Sequence, residues 1–155
     1  FDSLTVWEHL EFSASVYDVS DWKPRAESLL TRFQLTEHRN KPADELSRGL
    51  RQRTVIVCAY LHAPSVICFD EPMVGLDPYG IRQLKESMRE EAARGAAIIL
   101  SSHMLSLVDD ICSHLLILHR GTARFFGSLT DARLRAAGAA DNGKLEDLFF
   151  QLTEA

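Results

Sequence analysis

Asp70 and Glu71 directly follow the apolar run Val66-Ile-Cys-Phe69 and precede the turn-forming stretch Pro72-Met-Val-Gly-Leu-Asp-Pro78. Adjacent carboxylates at a strand end point to opposite sides, so they can divide the work. One can hold a hard cation such as Mg²⁺ through its oxygens, while the other accepts a proton from an attacking water. The same pair also suits a strand end whose acids are simply solvated. His103 follows a second apolar run, Ala96-Ala-Ile-Ile-Leu-Ser-Ser102, much as Asp70 follows the first. If both runs are parallel strands, Asp70, Glu71 and His103 share the edge where ligands of open α/β sheets bind. A lone structural histidine is the alternative. Ser47-Arg48-Gly49 precedes the apolar helical stretch Thr54 to Leu61. Free N–H groups and the positive end of the helix dipole favour an anion at such a helix start, although a plain N-cap at Ser47 explains the serine equally.

The elements that must position these residues can be read from periodicity. A continuous apolar run bounded by turn residues predicts that Val66 to Phe69 is a parallel strand covered on both faces. An amphipathic helix from Tyr79 to Arg94, stopped by Gly95, joins it to the second strand in a βαβ unit. Upstream, Trp7, Leu10, Phe12, Val16 and Tyr17 recur at helical spacing. Thr5 and Glu8 are placed to form a capping box for that helix. Asp21 to Pro24 is expected to break it, and Arg25 opens a second amphipathic helix ending near Leu35. The aromatics of both helices read as core. Thr36 to Ser47 is polar, contains Pro42 and reads as a loop. Downstream, a short helix from Ser106 to Ser113 leads into a strand from His114 to His119. Arg120-Gly121 turns that strand back as a hairpin through Phe126. Helices over Leu129 to Ala137 and Leu145 to Leu152, separated by a Gly/Ala/Asn loop, finish the chain. His114 and His119 lack metal-ligand spacing and read as strand or surface residues.

The totals bound the function. A chain of 155 residues, 46% hydrophobic, is long enough for one globular domain with a real core. A net charge of -5 offers no general basic field for nucleic acid. The 3 cysteines, Cys58, Cys68 and Cys112, are dispersed in apolar runs, which predicts reduced core thiols in a cytosolic protein rather than a disulfide framework or structural metal. No apolar run approaches the roughly 20 residues that span a bilayer, and no signal-peptide pattern appears. Phe1 stands where an initiator Met is expected, which points to a fragment.

With these residues in view, the chain resembles the ATP-binding cassette (ABC) ATPases. Leu46-Ser-Arg-Gly-Leu-Arg-Gln-Arg53 is similar to their signature motif, and Val66 to Pro72 to the Walker B strand with its glutamate. Gly75-Leu-Asp-Pro78 resembles the D-loop and Ser102-His103 the H-loop. The order and spacing match, and the resemblance covers essentially the whole chain. Leu145-Glu-Asp-Leu-Phe149 is similar to the tail of bacterial ATPase subunits that drive exporters. Two positions depart from the pattern: Arg48 replaces the usual first glycine of the signature pair, as in exporter-type relatives, and Leu50 replaces its usual glutamine.

The resemblance implies that Asp70 is the Mg²⁺ residue, Glu71 the general base and His103 a contact to the γ-phosphate. It implies that Ser47, Arg48 and Gly49 meet the nucleotide held by a second ATPase subunit in a head-to-tail dimer, and that Asp77 communicates across it. The implied cofactors are ATP and Mg²⁺. The implied partners are that second subunit and transmembrane permease subunits, met through the helical region from Thr5 to Leu35, with no nucleic acid. The implied location is cytoplasmic, peripheral at the inner face of the cell membrane. The implied fold is α/β. It comprises an incomplete RecA-like P-loop NTPase core, a parallel sheet with helices on both faces and a C-terminal β-hairpin, plus an N-terminal helical subdomain. Residues 1–64 would form that subdomain, 65–128 the partial core and 129–155 a helical tail.

The Walker A loop, Gly-x4-Gly-Lys-Ser/Thr, and the Q-loop glutamine are not found in these residues. Gly138 to Lys144 has the Gly-x4-Gly-Lys spacing, but Leu145 stands where a hydroxyl is needed and a helix precedes it. Without a loop to cradle phosphates, the isolated chain is expected to be inert towards ATP, although the parent family hydrolyses it. A gap in the sheet is expected too, closed by rearrangement or by a second chain. The competing function is a non-catalytic regulatory protein that dimerises with an intact subunit. The DNA-maintenance ATPases that share these motifs are disfavoured because no long coiled coil is present.

Overall fold

Thr5 begins the first helix as its residue type and spacing require. Its hydroxyl accepts from the Glu8 N–H at 3.2 Å, and the Glu8 carboxylate accepts from the Thr5 N–H at 2.7 Å, so two otherwise orphaned donors are satisfied. A computed structural model of the protein describes residues 1–137 and 144–153, arranged as two compact units, Phe1–Ser101 and Ser102–Ala155. The Gly138 to Gly143 part of the Gly-x4-Gly-Lys stretch lies outside the described residues.

The first unit holds α1 (Val6–Val16), α2 (Trp22–Arg32), α3 (Arg48–Leu61), β1 (Val66–Asp70), α4 (Pro78–Ala93) and β2 (Ala97–Ser101). Two short 3₁₀ turns, Thr36–His38 and Ala43–Glu45, fill the expected loop. α2 starts three residues earlier than Arg25, because Pro24 falls in the first turn, where a missing N–H costs nothing. It ends at Arg32 rather than near Leu35.

Val6, Leu10 and Ala14 of α1, Ala26, Leu29 and Leu30 of α2, and Ile56, Val57 and Tyr60 of α3 are buried together with Phe33 and Leu35. Phe12 and Tyr17, expected in the core, are exposed instead, as is Val16: the buried stripe of α1 runs 6, 10, 14, and they lie off it. Arg25 donates to the Tyr60 carbonyl at 3.0 and 2.8 Å, beside the Ala63 N–H that reaches the same oxygen at 3.1 Å, and so ties α2 to the last turn of α3. Arg32 grips Glu90 of α4 through two bonds of 2.6 and 2.9 Å. Gly95, at φ +99°, ends α4: its N–H reaches Ala92 O, and the next N–H, of Ala96, reaches Glu91 O, both at 3.0 Å.

β1 and β2 pair in parallel, Val66 opposite Ala97 through Asp70 opposite Ser101. They bury one face rather than two. Ile67 is buried, with Phe69, Ile98 and Leu100 half-buried beside it, whereas Val66, Cys68 and Ile99 alternate onto an exposed face. The reason is period two in a sheet of two strands whose α4 contact and Tyr60–Phe69 ring contact serve the inner face. The cysteines differ accordingly from the expected core thiols: Cys68 is exposed, and Cys58 and Cys112 are half-buried. Burial pushes the Cys58 thiol up to about 12.

The second unit holds α5 (Leu105–Ile111), β3 (His114–His119), β4 (Thr122–Ser128), α6 (Leu129–Ala137) and α7 (Leu145–Thr153). β3 and β4 form an antiparallel hairpin whose two-residue turn places Arg120 and Gly121 at φ 48° and 75°, the twist that tight hairpins require. Its core gathers Val108, Ile117, Leu129, Ala132, Ala136, Leu145 and Leu148. Ser128 accepts from the Asp131 N–H at 3.0 Å and donates to its carboxylate at 2.6 Å, starting α6.

Among the described residues the strands therefore form two two-stranded sheets, one in each unit. Each strand pairs only with its nearest strand in the chain, where loop closure costs least. No helix among the described residues is long and apolar enough to cross a membrane. Replacing Thr5 by Ala is expected to cost about 1 kcal/mol. Leu10→Ala, which empties a fully buried site, is expected to cost about 3 kcal/mol. Both are read from urea unfolding, and a Leu10→Ala effect no larger than that of Thr5→Ala would contradict the described α1 packing.

Candidate functional site

β1 ends at Asp70, and Ser101, the last residue of β2, stands opposite it in register. The Ser101 hydroxyl donates to Asp70 Oδ1. The Glu71 N–H in turn donates to both the Ser101 hydroxyl and the Ser101 carbonyl, each at 3.2 Å. Glu71 sits at φ 45°, a left-handed conformation costing a non-glycine residue on the order of 1–2 kcal/mol. Such a residue persists where its surroundings over-determine it, and Ser101 supplies part of that determination.

The loop that follows Glu71 packs on α3. Ser47 is its N-cap, the hydroxyl accepting from the Leu50 N–H at 3.3 Å. Gly49 lies against the backbone of Gly75, since a Cβ at position 49 would come within 2.9 Å of the Gly75 carbonyl oxygen. Gly75, at φ +87°, leaves room for the Arg48 side chain, whose carbons would lie 3.0–3.1 Å from a Cβ built there. One turn on, Gln52 donates to the Pro72 carbonyl at 3.1 Å. Arg53 donates to Asp77 Oδ1 at 2.7 Å, to Gln34 Oε1 at 2.9 Å and to the Phe33 carbonyl at 3.4 Å. Residues 49, 52 and 53 share one helix face, and that face holds the loop at Pro72, Gly75 and Asp77.

Asp77 also caps α4, accepting from the Gly80 N–H at 2.8 Å. That bond first, and the Arg53 guanidinium second, hold its carboxyl below its ordinary value. Arg53 is only 8% exposed, a buried charge that stays tolerable because its donors are matched by acceptors.

Of the residues singled out in the sequence, Asp70 and Glu71 adjoin each other at the strand end, and Arg48 and Gly49 adjoin the loop that carries Asp77. His103 is exposed two residues beyond the end of β2 and belongs to the second unit. The sequence reading passed over Ser101, Gln52 and Arg53. The signals were there: a serine closing an apolar run, and two polar side chains one turn beyond Gly49 on a helix that becomes apolar immediately afterwards.

As to a cation, no group of three or more His, Cys, Asp or Glu side chains able to hold a metal occurs among the described residues. Asp70 and the neighbouring Ser101 hydroxyl are oxygen donors that suit Mg²⁺, which ordinarily keeps several waters and takes one or two carboxylates plus phosphate oxygens. The donor chemistry therefore fits Mg²⁺ carried in with a nucleotide.

A family model described as "AAA domain, putative AbiEii toxin, Type IV TA system" matches residues 4–109. A solved structure titled "Structure of ATP binding subunit of ABC transporter" is similar at a TM-score of 0.91 and 35% identity, over 98% of this chain and 63% of that one. The chain belongs to the ABC ATPase family. The ABC-type transporter ATP-binding protein EcsA of Bacillus subtilis is 34% identical over 99% of this chain and 62% of its own length. NatA of the same organism, an ABC transporter ATP-binding protein, is 30% identical over 83% of this chain and 53% of its own. The chain thus spans less than two thirds of these relatives. α3 carries the residues that resemble the ABC signature, β1 those that resemble the Walker B strand, and Gly75 to Pro78 those that resemble the D-loop.

Two variants test this frame. Alanine for Gly49 would stabilise a helix by roughly 0.5–1 kcal/mol on backbone entropy alone, but overpacking against a rigid neighbour costs about 1–3 kcal/mol. Gly49→Ala is therefore expected to lower stability, and a rise would show that the D-loop gives way. A carboxyl held low in the folded state contributes stability above its unfolded value, lost as pH falls through the lower folded value. Asp77→Asn should accordingly destabilise at neutral pH and flatten the acid limb of a stability–pH curve below about pH 3.8.

Proposed function

We propose that the chain is the portion of an ABC transporter's nucleotide-binding subunit that carries Walker B, the signature and the D-loop, coupling ATP binding and hydrolysis to export across a membrane. The observation that carries this reading is the α3 face bearing Gly49, Gln52 and Arg53, which ties the signature residues to the loop that starts at the Walker B carboxylates. A phosphate contact at the signature and a proton transfer at Glu71 thereby act on one connected frame.

In this reading Glu71 is the general base: its carboxylate takes a proton from the water that attacks the γ-phosphate. Asp70, oriented by the Ser101 hydroxyl, is the protein ligand for Mg²⁺. When bound, Mg²⁺ neutralises charge on the phosphate oxygens. The Ser47 hydroxyl, still able to donate while it accepts from Leu50, joins the first-turn N–H groups of Arg48 and Gly49. Together they hold the γ-phosphate of a nucleotide on a second ATPase subunit. The Arg48 guanidinium adds positive charge there. His103 donates to the γ-phosphate, and Asp77 carries the state of the signature helix into α4 and across the dimer.

Permease subunits are the second class of partner. A cavity of about 490 Å³ lies in the first unit, lined by Phe12, Val16, Tyr17, Leu46 and Val55 among others. Four of these side chains, Phe12, Val16, Tyr17 and Val55, are 48–62% exposed, an apolar surface suited to a membrane subunit's cytoplasmic helix. In this reading the protein works peripherally at the cytoplasmic face of the membrane.

The 155 residues by themselves contribute a base and a metal carboxylate but no phosphate-cradling loop. Calorimetric titration of this chain with MgATP is expected to give no heat. In the complete subunit, Glu71→Gln is expected to slow hydrolysis about 100-fold or more. MgATP binding by the 155-residue chain that disappears in Lys144→Ala would overturn the first expectation, and unchanged turnover in Glu71→Gln the second.

A further inference from the structure

We infer that Ser101 is a positioning residue for hydrolysis, its hydroxyl and carbonyl together setting both Walker B carboxylates in place. This rests on the assignment of Glu71 as base and Asp70 as Mg²⁺ ligand.

Three bonds converge on this one residue. The hydroxyl donates to Asp70 Oδ1 and accepts from the Glu71 N–H, and the carbonyl accepts from that same N–H. A hydroxyl has one donor and two acceptor sites, so the two bonds are compatible and fix its rotor. With Oδ1 committed to the serine, Oδ2 is the oxygen left for a cation, and the carboxylate cannot turn freely about its terminal torsion. The effect on Glu71 is on the backbone. Its left-handed conformation re-aims the chain after the last strand residue, and the direction of its side chain follows from that conformation. Releasing the N–H from one acceptor lets φ relax towards the ordinary region, which swings the base away from its water. Ser101 is itself in the β2 ladder, opposite Asp70, so both carboxylates are referred to the rigid sheet rather than to a loop.

A hydroxyl in this role differs from a space-filling side chain in what replaces it. Ser101→Thr keeps the hydroxyl and Ser101→Cys keeps the size but offers a weak donor and acceptor, whereas Ser101→Ala removes it. The measurement is steady-state ATPase activity of the complete subunit for these three variants and Glu71→Gln, with amide exchange at Glu71 followed by NMR. Ser101→Ala and Ser101→Cys are expected to lower kcat about tenfold or more with KM changed less than about twofold, since misplacement of a reacting group affects the chemical step. Ser101→Thr is expected to restore kcat to within about twofold, and Glu71 amide exchange should accelerate in the first two variants only. Wild-type kcat in Ser101→Ala and Ser101→Cys, alongside an inactive Glu71→Gln, would overturn the role of the serine while leaving the base intact. Wild-type turnover in Glu71→Gln would overturn the underlying assignment instead.

Discussion

The contact between one face of α3 and the loop from Pro72 to Asp77 is the constraint on which the site depends. It is made of three unlike interactions: a glycine–glycine backbone approach, an amide-to-carbonyl hydrogen bond and an ion pair between a buried guanidinium and an exposed carboxylate. Each is intolerant in its own way. The glycine approach admits no Cβ, the amide bond needs a side chain of fixed length, and the guanidinium cannot lose its acceptors without leaving a charge stranded in the protein. Together they make the helix start and the loop a single mechanical part, although residues 49 and 75 are far apart in the chain.

Buried Arg53 extends that part in a second direction. Besides Asp77 it engages Gln34 and the Phe33 carbonyl, just beyond the end of α2. α2 is tied to α4 independently through Arg32 and Glu90, a pair whose partial exposure makes it weaker than its short bonds suggest. The helical elements and the D-loop thus meet at one guanidinium, with the rest of the packing supplied by apolar burial around Tyr60 and Leu30.

Much of this was legible in the sequence. Thr5 with Glu8, Gly95 after α4 and Arg120-Gly121 at the hairpin are local signals, settled by backbone chemistry within a few residues, and the structure has each of them. The apolar run from Val66 to Phe69 placed Asp70 and Glu71 at a strand end. What escaped was non-local. Whether Val66 and Cys68 are buried depends on what covers the second face, which no period along β1 encodes. Phe12 and Tyr17 look like core residues until the 6, 10, 14 stripe of α1 has chosen its side. Ser101 could be found only by knowing the register that sets it opposite Asp70.

That register has a further consequence. Side chains alternate along a strand, so a slip of one residue between β1 and β2 would turn Ser101 to the opposite face and offer Asp70 a leucine or the next serine in its place. The same slip would carry Ile98 and Leu100 out from among the inner apolar side chains. The hydroxyl–carboxylate bond and the apolar stripe beneath it therefore select the same alignment from opposite sides of a very small sheet. The site acts as a proofreader of its own scaffold, because a misaligned pair of strands loses its burial and its polar partner at one stroke.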